Sequence, residues 1–345
     1  MTLATFKGMI YNSNSYIKHI AKGFEPSMRY RYDTDFAAWR FCAKAKLEEL
    51  LGLPLEKCED CFTVVSETIC DGYKRIDFTF QSEKDYFVNA AILIPHGVNA
   101  KIPCAICLQG HSTGMHISLG EARFDVDEEL IVGGRDFAVR AVKEGVCAVA
   151  MEQRYMGSAG QNEKGKSQCL GGFSMPSLLF GRTPIGERVW DVQRLIDVLL
   201  SHFGKYVDPE KLICLGNSGG GTTTLYASCI EERIRISVPS CAISTFDASI
   251  VAMWHCPCNE VPSIRKYFDM GDLCALVAPR KLLVVSGEND NIFPIEPAKE
   301  TYEVTKNIYK MLGEEDSCNM VIGNGGHRFY PDEAWPVIHK YLEEL

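Results

Sequence analysis

A buried-looking strand runs directly into a Gly-x-Ser-x-Gly pattern at residues 216–220, and this junction constrains the fold more than any other part of the chain. Leu212 to Leu215 form a continuous apolar run, which is typical of a strand buried on both faces of a parallel sheet. Residues 222–229 can continue as a helix. A strand that turns sharply into a helix needs glycine around its central residue, because side chains there would clash. The pattern therefore predicts a nucleophile elbow, with the hydroxyl of Ser218 accessible at the edge of a sheet.

From residue 86 onward, predicted strands and helices alternate, which indicates a sheet with helices on both faces. The predicted strands lie at residues 63–69, 74–81, 90–95, 103–108, 147–151, 211–216, 234–240, 281–286 and 319–322. The clearest helix covers residues 183–203, where apolar residues recur at helical spacing. Another helix is predicted at residues 34–52, with Thr34 or Asp35 capping its start. The sequence thus predicts an α/β fold, with a mostly parallel central sheet of about eight strands and helices on both faces.

Two units are predicted along the chain. Residues 1–62 form an N-terminal helical extension packed on the core, and residues 63–345 form a catalytic domain. Within that domain, residues 155–182 and 242–270 are rich in Gly, Pro, Ser and aromatic residues and follow strand ends. Open α/β sheets bind their ligands at such strand ends. These two segments are therefore predicted to be active-site loops.

Two segments downstream of Ser218 carry groups that can activate its hydroxyl, which needs a base and a third group that orients the base. The strand at 281–286 ends in an acidic loop. We predict Asp290 as the orienting acid, because a proline follows the Gly-x-x-Asp pattern, with Glu288 as the alternative. The strand at 319–322 leads to a glycine-rich loop that contains His327, the predicted base. The chain order serine, acid, histidine is the one expected for this architecture.

An oxyanion that develops during attack on an ester needs backbone N–H donors. One donor is predicted at Gly219, directly after the nucleophile. The second is predicted in the loop after the strand at 103–108, at His111, with Ser112 as the next choice. A metal-ligand role for His111 is disfavoured, because no His/Asp/Glu cluster accompanies it in the sequence. The glycines at 219–221 lack the lysine of a phosphate-binding loop.

Net charge argues against several kinds of partner. The chain of 345 residues carries a formal net charge of −9 and has no run of Lys or Arg. Nucleic acid and anionic membrane are therefore poor candidate partners. The first residues show no basic region followed by an apolar core, so no export signal is predicted and the expected location is cytoplasmic.

The 15 cysteines fit that expectation as reduced thiols, many of them in apolar strand contexts. An alternative is a structural zinc site made from Cys58 and Cys61 together with the segment His255-Cys256-Pro-Cys258. The spacing is poor, because the two halves are about two hundred residues apart. We therefore predict no metal ion.

The chain resembles α/β-hydrolases of the acetyl-xylan-esterase and dienelactone-hydrolase-like group from about Trp39 to the C-terminus. The resemblance rests on the motifs Leu108-Gln-Gly-His-Ser, Met151-Glu-Gln-Arg-Tyr-Met-Gly157, Gly181-Arg-Thr-Pro-Ile-Gly-Glu-Arg-Val-Trp-Asp191, Gly216-Asn-Ser-Gly-Gly, Ala278-Pro-Arg-Lys-Leu-Leu, Gly287-Glu-Asn-Asp-Asn-Ile-Phe-Pro and Gly326-His327. The resemblance implies the α/β-hydrolase fold, and it implies the same triad and oxyanion donors as the reasoning above. The chain departs from the family pattern at Gln109, where a histidine is common, at Tyr155, where a glycine is common, and at Lys281, where a proline is common.

These observations predict a serine carboxylic-ester hydrolase that works through an acyl-enzyme on short-acyl esters of a small molecule or sugar. Four residues are predicted to line the substrate pocket: Arg154, Tyr155, Trp254 and His255. No metal or organic cofactor is expected, and a homo-oligomer is one of the expected assembly states. Two alternatives stay open at this point. They are a serine peptidase or amidase with the same triad, and a catalytically silent binding protein.

Overall fold

The computed structural model describes residues 5–6, 9–10, 12–160 and 173–345. Residues 161–172 of the predicted loop 155–182, and several of the first eleven residues of the predicted extension, lie outside the described residues. The strands are β1 Thr5–Phe6, β2 Met9–Ile10, β3 Thr63–Ile69, β4 Tyr73–Glu83, β5 Tyr86–Pro95, β6 Ile102–Leu108, β7 Cys147–Met151, β8 Val207–Asn217, β9 Ile234–Ser240, β10 Lys281–Gly287 and β11 Cys318–Gly323.

The α-helices are α1 Ser13–Ala21, α2 Phe36–Leu51, α3 Asp125–Leu130, α4 Phe137–Lys143, α5 Pro184–His202, α6 Gly219–Ile230, α7 Ile264–Tyr267, α8 Met270–Val277, α9 Ile295–Met311 and α10 Pro331–Glu343. Helix α2 begins after Asp35, whose carboxylate accepts the N–H of Ala38, and ends at Gly52 in the left-handed region. Helix α5 begins after Thr183, whose hydroxyl oxygen accepts the N–H of Gly186. Among the described helices, none combines the length and the apolar character needed to cross a bilayer.

The central sheet has nine strands in the order β11-β10-β9-β8-β6-β7-β5-β4-β3. The six strands from β11 to β7 in this order are mutually parallel, and β5, β4 and β3 continue the sheet in antiparallel fashion. The predicted fold class is confirmed, with nine strands instead of about eight. Because the six parallel strands point the same way, the segments that follow them meet at one edge of the sheet.

Helices cover both faces of the sheet, and alternate side chains of each central strand enter different cores. One core contains Ile106, Cys214 and Val284, together with apolar residues of α2, α5, α6 and α8. The other contains Ile213 and Val285, together with residues of α4 and α10. Burial on both faces explains why these strands read in the sequence as continuous apolar runs. This packing holds the loops at the carboxyl edge on a rigid base.

Candidate active site

Strand β8 passes directly into helix α6 through Ser218, as the elbow pattern predicts. Ser218 has φ 57° and ψ −125°, a conformation that residues other than glycine rarely adopt. The surrounding glycines permit this turn. A Cβ on Gly216 would lie 2.6 Å from the backbone of Gly220, and one on Gly110 would lie 2.6 Å from the carbonyl oxygen of Asn217. The N–H of Ser218 donates to the carbonyl of Ser240 at 2.8 Å, which ties the turn to the end of β9.

Asp290 and His327 come together at the same edge of the sheet, in the loops after β10 and β11. The Nδ1 atom of His327 lies 2.8 Å from Oδ2 of Asp290. The other carboxylate oxygen accepts the N–H groups of Ile292 at 2.8 Å and Phe293 at 3.0 Å. Burial alone would raise the pKa of Asp290, but the hydrogen bond and charge of His327 and the two N–H donors outweigh it and lower the pKa. Asp290 is therefore held as a carboxylate. Glu288, the alternative acid, is exposed, and its N–H donates to Gly323.

The imidazole of His327 is oriented so that one nitrogen is occupied and the other is available. Because Nδ1 donates to a carboxylate, the neutral ring carries its proton there and its Nε2 lone pair is free to act as a base. This Nε2 atom is buried and has no hydrogen-bond partner among the described residues. The ring stacks on Phe293 with 6.1 Å between centroids. No hydrogen bond joins it to Ser218 in this conformation, and such bonds often form only when substrate is bound.

The two residues predicted to supply the oxyanion donors lie in contact. Atoms of the His111 ring would lie 2.7 to 3.2 Å from a Cβ placed on Gly219. Gly219 is the first residue of α6, where backbone N–H groups lack intrahelical partners. The loop that carries His111 is anchored by Gln109, whose side chain donates to Ser118 at 2.7 Å and to the carbonyl of Arg135 at 2.6 Å. Donation of either N–H to an oxyanion stays a prediction.

Arg154 lies in a buried network of ion pairs. Its guanidinium makes two 2.8 Å hydrogen bonds to Asp191 of α5, lies 2.7 Å from Glu83 at the end of β4, and covers the ring of Tyr86 at 4.1 Å. Such a bidentate pair fixes the loop after β7 against α5. The predicted contact between Arg154 and substrate stays a prediction.

The other three predicted pocket residues differ in exposure. Tyr155 is partly buried, and its hydroxyl donates to Glu187 at 2.6 Å. Trp254 is 70% exposed. His255 is buried, with Nε2 3.2 Å from the hydroxyl oxygen of Ser249. Burial lowers the pKa of His255, and the nearby His111 and His327 lower it further. The His255 ring packs at 5.6 Å on Phe293, the same ring on which His327 stacks, and its contact with substrate stays a prediction.

Two cysteines also belong to this region. Cys256 and Cys258 are buried together against Tyr155, and Sγ of Cys258 lies 3.2 Å from Nε2 of His111. The sequence signal for them is the segment His255-Cys256-Pro-Cys258, which the disfavoured zinc alternative combines with Cys58 and Cys61. In the described part of the chain, Cys58 and Cys61 join no group of three side chains able to bind a metal ion.

Glu152, directly after β7, connects two loops at the edge of the site and was not recognised from the sequence. Its carboxylate accepts the N–H of Met115 at 3.2 Å, and the N–H and hydroxyl of Ser158 at 3.1 and 3.2 Å. Burial raises its pKa to about 7, although these hydrogen bonds oppose the shift. The side chain is therefore largely protonated in mildly acidic solution and ionised in mildly alkaline solution.

The free energy of unfolding of the unmodified protein should fall by about 3 kcal/mol between pH 4.5 and 8.5, because Glu152 ionises over this range. We expect Glu152→Gln to remove this part of the pH dependence. The folded protein holds the Glu152 proton more tightly than the unfolded chain, whose pKa is near 4.5. The stabilisation that comes from this tighter proton binding is fully present below pH 4.5 and is lost as the pH rises through 7. Urea unfolding of both proteins between pH 4.5 and 8.5 measures the effect, because other titrating groups are shared. A stability difference that stays constant over this range would contradict it.

Comparisons with known proteins agree with this architecture. A family model described as the Abhydrolase family matches residues 7–179. A Bacillus subtilis (strain 168) protein named "Putative hydrolase YtaP" is 24% identical over 237 residues, which cover 65% of this chain and 73% of that protein. The matched family region ends before Ser218, so the proposed roles of the triad rest on the site geometry.

Solved structures show the same fold at low sequence identity. One is titled a "putative acetyl xylan esterase" from Bacteroides fragilis, with a TM-score of 0.76, 17% identity, and coverage of 93% of this chain and 84% of that chain. Another is a glucuronoyl esterase from Solibacter usitatus, with a TM-score of 0.69, 14% identity, and coverage of 92% and 96% respectively. With a family model matched over half of its length and the nine-stranded sheet in place, this chain belongs to the Abhydrolase family.

Proposed function

We propose that this protein is a serine carboxylic-ester hydrolase that works through an acyl-enzyme. The observation that carries the proposal is the buried Nε2 atom of His327, which is unpartnered among the described residues while Asp290 holds the opposite side of the ring. Because the buried carboxylate of Asp290 fixes the ring through Nδ1, the unpartnered Nε2 atom is the one positioned to accept a proton. Ser218, at the strained elbow on the same sheet edge, is the nucleophile that this base would serve.

The reaction follows from these positions. Ser218 attacks the ester carbonyl while Nε2 of His327 takes the hydroxyl proton. Asp290 keeps the imidazole oriented and stabilises its charged form. The N–H groups of Gly219 and His111 stabilise the oxyanion, each contributing about 3 kcal/mol to lowering the barrier. His327 then protonates the leaving alcohol, and a water molecule activated by the same base releases the acid. This sequence of steps needs no metal or organic cofactor.

We assign a short-acyl ester of a small molecule or sugar as the substrate. The titles of the structural neighbours support a carbohydrate ester, since they name acetyl xylan and glucuronoyl esterases and one methylesterase. The exposed ring of Trp254, next to the buried His255, offers a flat apolar surface at the site. Sugar rings commonly pack on such surfaces because their C–H faces are apolar.

Labelling with a fluorophosphonate tests the nucleophile. The reagent should attach once per chain, and digestion should place the adduct on the peptide that contains Ser218. A catalytically silent binding protein would not react, and an adduct at another serine would overturn the assignment of the nucleophile.

Substrate comparison tests the reaction class. We expect p-nitrophenyl acetate to be hydrolysed in preference to aminoacyl-p-nitroanilides, because the proposed site binds a neutral short acyl group. A series of longer acyl chains and a set of acetylated sugars would then define the preferred ester. Preferential cleavage of the anilides would favour the peptidase alternative.

A further inference from the structure

Three side chains that can bind a metal ion meet beside the elbow. A ring nitrogen of His111 and the Sγ atoms of Cys256 and Cys258 all lie within 4.8 Å of one another. The His111 Nε2 to Cys258 Sγ distance is 3.2 Å. The proposed ester hydrolysis uses neither thiol, so this cluster needs a separate explanation.

The fold brings these residues together from segments far apart in the chain. His111 follows β6 on the carboxyl edge of the sheet. The cysteines lie in the loop between β9 and α7, and the one-residue spacer, Pro257, holds them on a short helical turn. Cys256 and Cys258 are 3% and 0% exposed, and His111 is partly buried. The ligand atoms are therefore largely shielded from bulk water and held by the protein.

A second layer of contacts fixes the cysteine side of the cluster. Nδ2 of Asn259 lies 3.9 Å from Sγ of Cys258, and Oδ1 of Asn259 accepts the hydroxyl of Thr222 on α6 at 3.0 Å. Groups that orient ligands in this way are typical of metal sites. They also connect the cluster to the helix that follows Ser218.

The set of donors selects a particular class of ion. Two thiolates and one imidazole bind zinc, and three protein ligands leave a fourth tetrahedral position open. The usual Zn–N and Zn–S bond lengths imply separations of roughly 3.6 Å between nitrogen and sulfur and roughly 3.8 Å between the sulfurs. The 3.2 Å between Nε2 of His111 and Sγ of Cys258 is a few tenths of an ångström shorter than the first value, and the two sulfurs lie within 4.8 Å of each other. Magnesium and calcium prefer oxygen ligands and are disfavoured here.

We infer that His111, Cys256 and Cys258 form a binding site for one Zn²⁺ ion per chain. Binding deprotonates the two thiols and releases their protons to the solvent, while each sulfur and the imidazole nitrogen donate an electron pair to the metal. Because the His111 ring contacts Gly219, the ion would lie on the side of Ser218 where the oxyanion donors are proposed. The site goes beyond the proposed function and does not depend on it.

Metal titration of the reduced full-length protein tests this inference. Zn²⁺ added in competition with a chromophoric chelator should bind with one high-affinity site per chain. Co²⁺ in its place should give the near-ultraviolet absorption of a thiolate-to-cobalt charge transfer and the intense visible bands of a tetrahedral site. Cys256→Ser and Cys258→Ser should each weaken Zn²⁺ binding by at least about 100-fold, since even changes in the surrounding groups cost up to that much.

The matched control is the double variant Cys58→Ser and Cys61→Ser, which removes the other closely spaced cysteine pair. It should bind Zn²⁺ as the unmodified protein does. Loss of binding in this control, or full binding in both single variants, would overturn the assignment. If Cys256→Ser and Cys258→Ser fail to fold, the Co²⁺ spectra of the unmodified chain and of the control still test the inference. Absence of the thiolate-to-cobalt band from those spectra would refute the site. Neither the Zn²⁺ titration nor the Co²⁺ spectrum depends on ester hydrolysis. A failure of the metal site can therefore be distinguished from a failure of the proposed esterase activity.

Discussion

Ser218→Ala is expected to reduce kcat for p-nitrophenyl acetate by about 10⁶-fold, because removal of the nucleophile leaves only binding and oxyanion stabilisation. The substitution should leave the fold intact. Alanine keeps the Cβ atom and meets the same strained backbone at φ 57°, and the hydrogen bond from the N–H of residue 218 to Ser240 involves no side chain. The change therefore isolates the contribution of a single oxygen atom. Steady-state kinetics measures the loss of kcat, and circular dichroism checks that the fold is retained.

Ser228→Ala is the matched control for that experiment. Ser228 lies on the same helix, α6, is fully buried, and its hydroxyl has no partner in the described part of the chain. Its removal should leave kcat unchanged and should not lower the free energy of unfolding, because no hydrogen bond is lost. If Ser218→Ala retained a tenth or more of the rate while remaining folded, another residue would have to be the nucleophile.

The fold was predictable because its determinants are local in the sequence. Strand β8 is a continuous apolar run, and the glycines after it allow only a tight turn into a helix. Helix α5 shows apolar residues at helical spacing and has Thr183 as its cap. The strand count was underestimated at about eight, although all nine strands of the sheet correspond to segments identified in the sequence.

The pairing of Asp290 with His327 was also predictable, because both follow parallel strands and such strands end at the same edge of a sheet. The choice between Asp290 and Glu288 needed coordinates. The side chain of Asp290 turns inward, accepts two backbone N–H groups and reaches the imidazole, whereas that of Glu288 is exposed. Two acids separated by one residue in a loop carry no periodic signal that distinguishes them.

The sequence could not predict which residues of different loops contact one another. Cys258 meets His111 across 147 positions of the chain, and neither loop follows a repeating pattern. Arg154 illustrates the same limit. It was predicted to line the pocket, and the structure places its guanidinium on Asp191, which lies 37 residues further along on α5. A motif shows that a residue is needed, but only the packed chain shows what that residue contacts.

Asp290→Asn is expected to lower kcat by about 10⁴-fold with little change in KM, because an amide at this position favours the wrong tautomer of the base. The Oδ1 atom of asparagine can still accept the N–H groups of Ile292 and Phe293, which holds the side chain in place. Its amide group then faces Nδ1 of His327 and donates a hydrogen bond instead of accepting one. The ring proton moves to Nε2, and the atom that should receive the proton of Ser218 is already protonated.

Glu288→Gln provides the control, since it removes the neighbouring carboxylate, which is exposed and lies in the same loop. We expect it to retain the full rate, while Asp290→Asn loses it and remains folded. The ratio of the two kcat values therefore reports which acid orients His327. A large loss in Glu288→Gln together with a small loss in Asp290→Asn would transfer the role to Glu288, and would require the loop after β10 to rearrange before the reaction. Equal and small losses in both variants would mean that the 2.8 Å contact between Asp290 and His327 does not control the tautomer of the base.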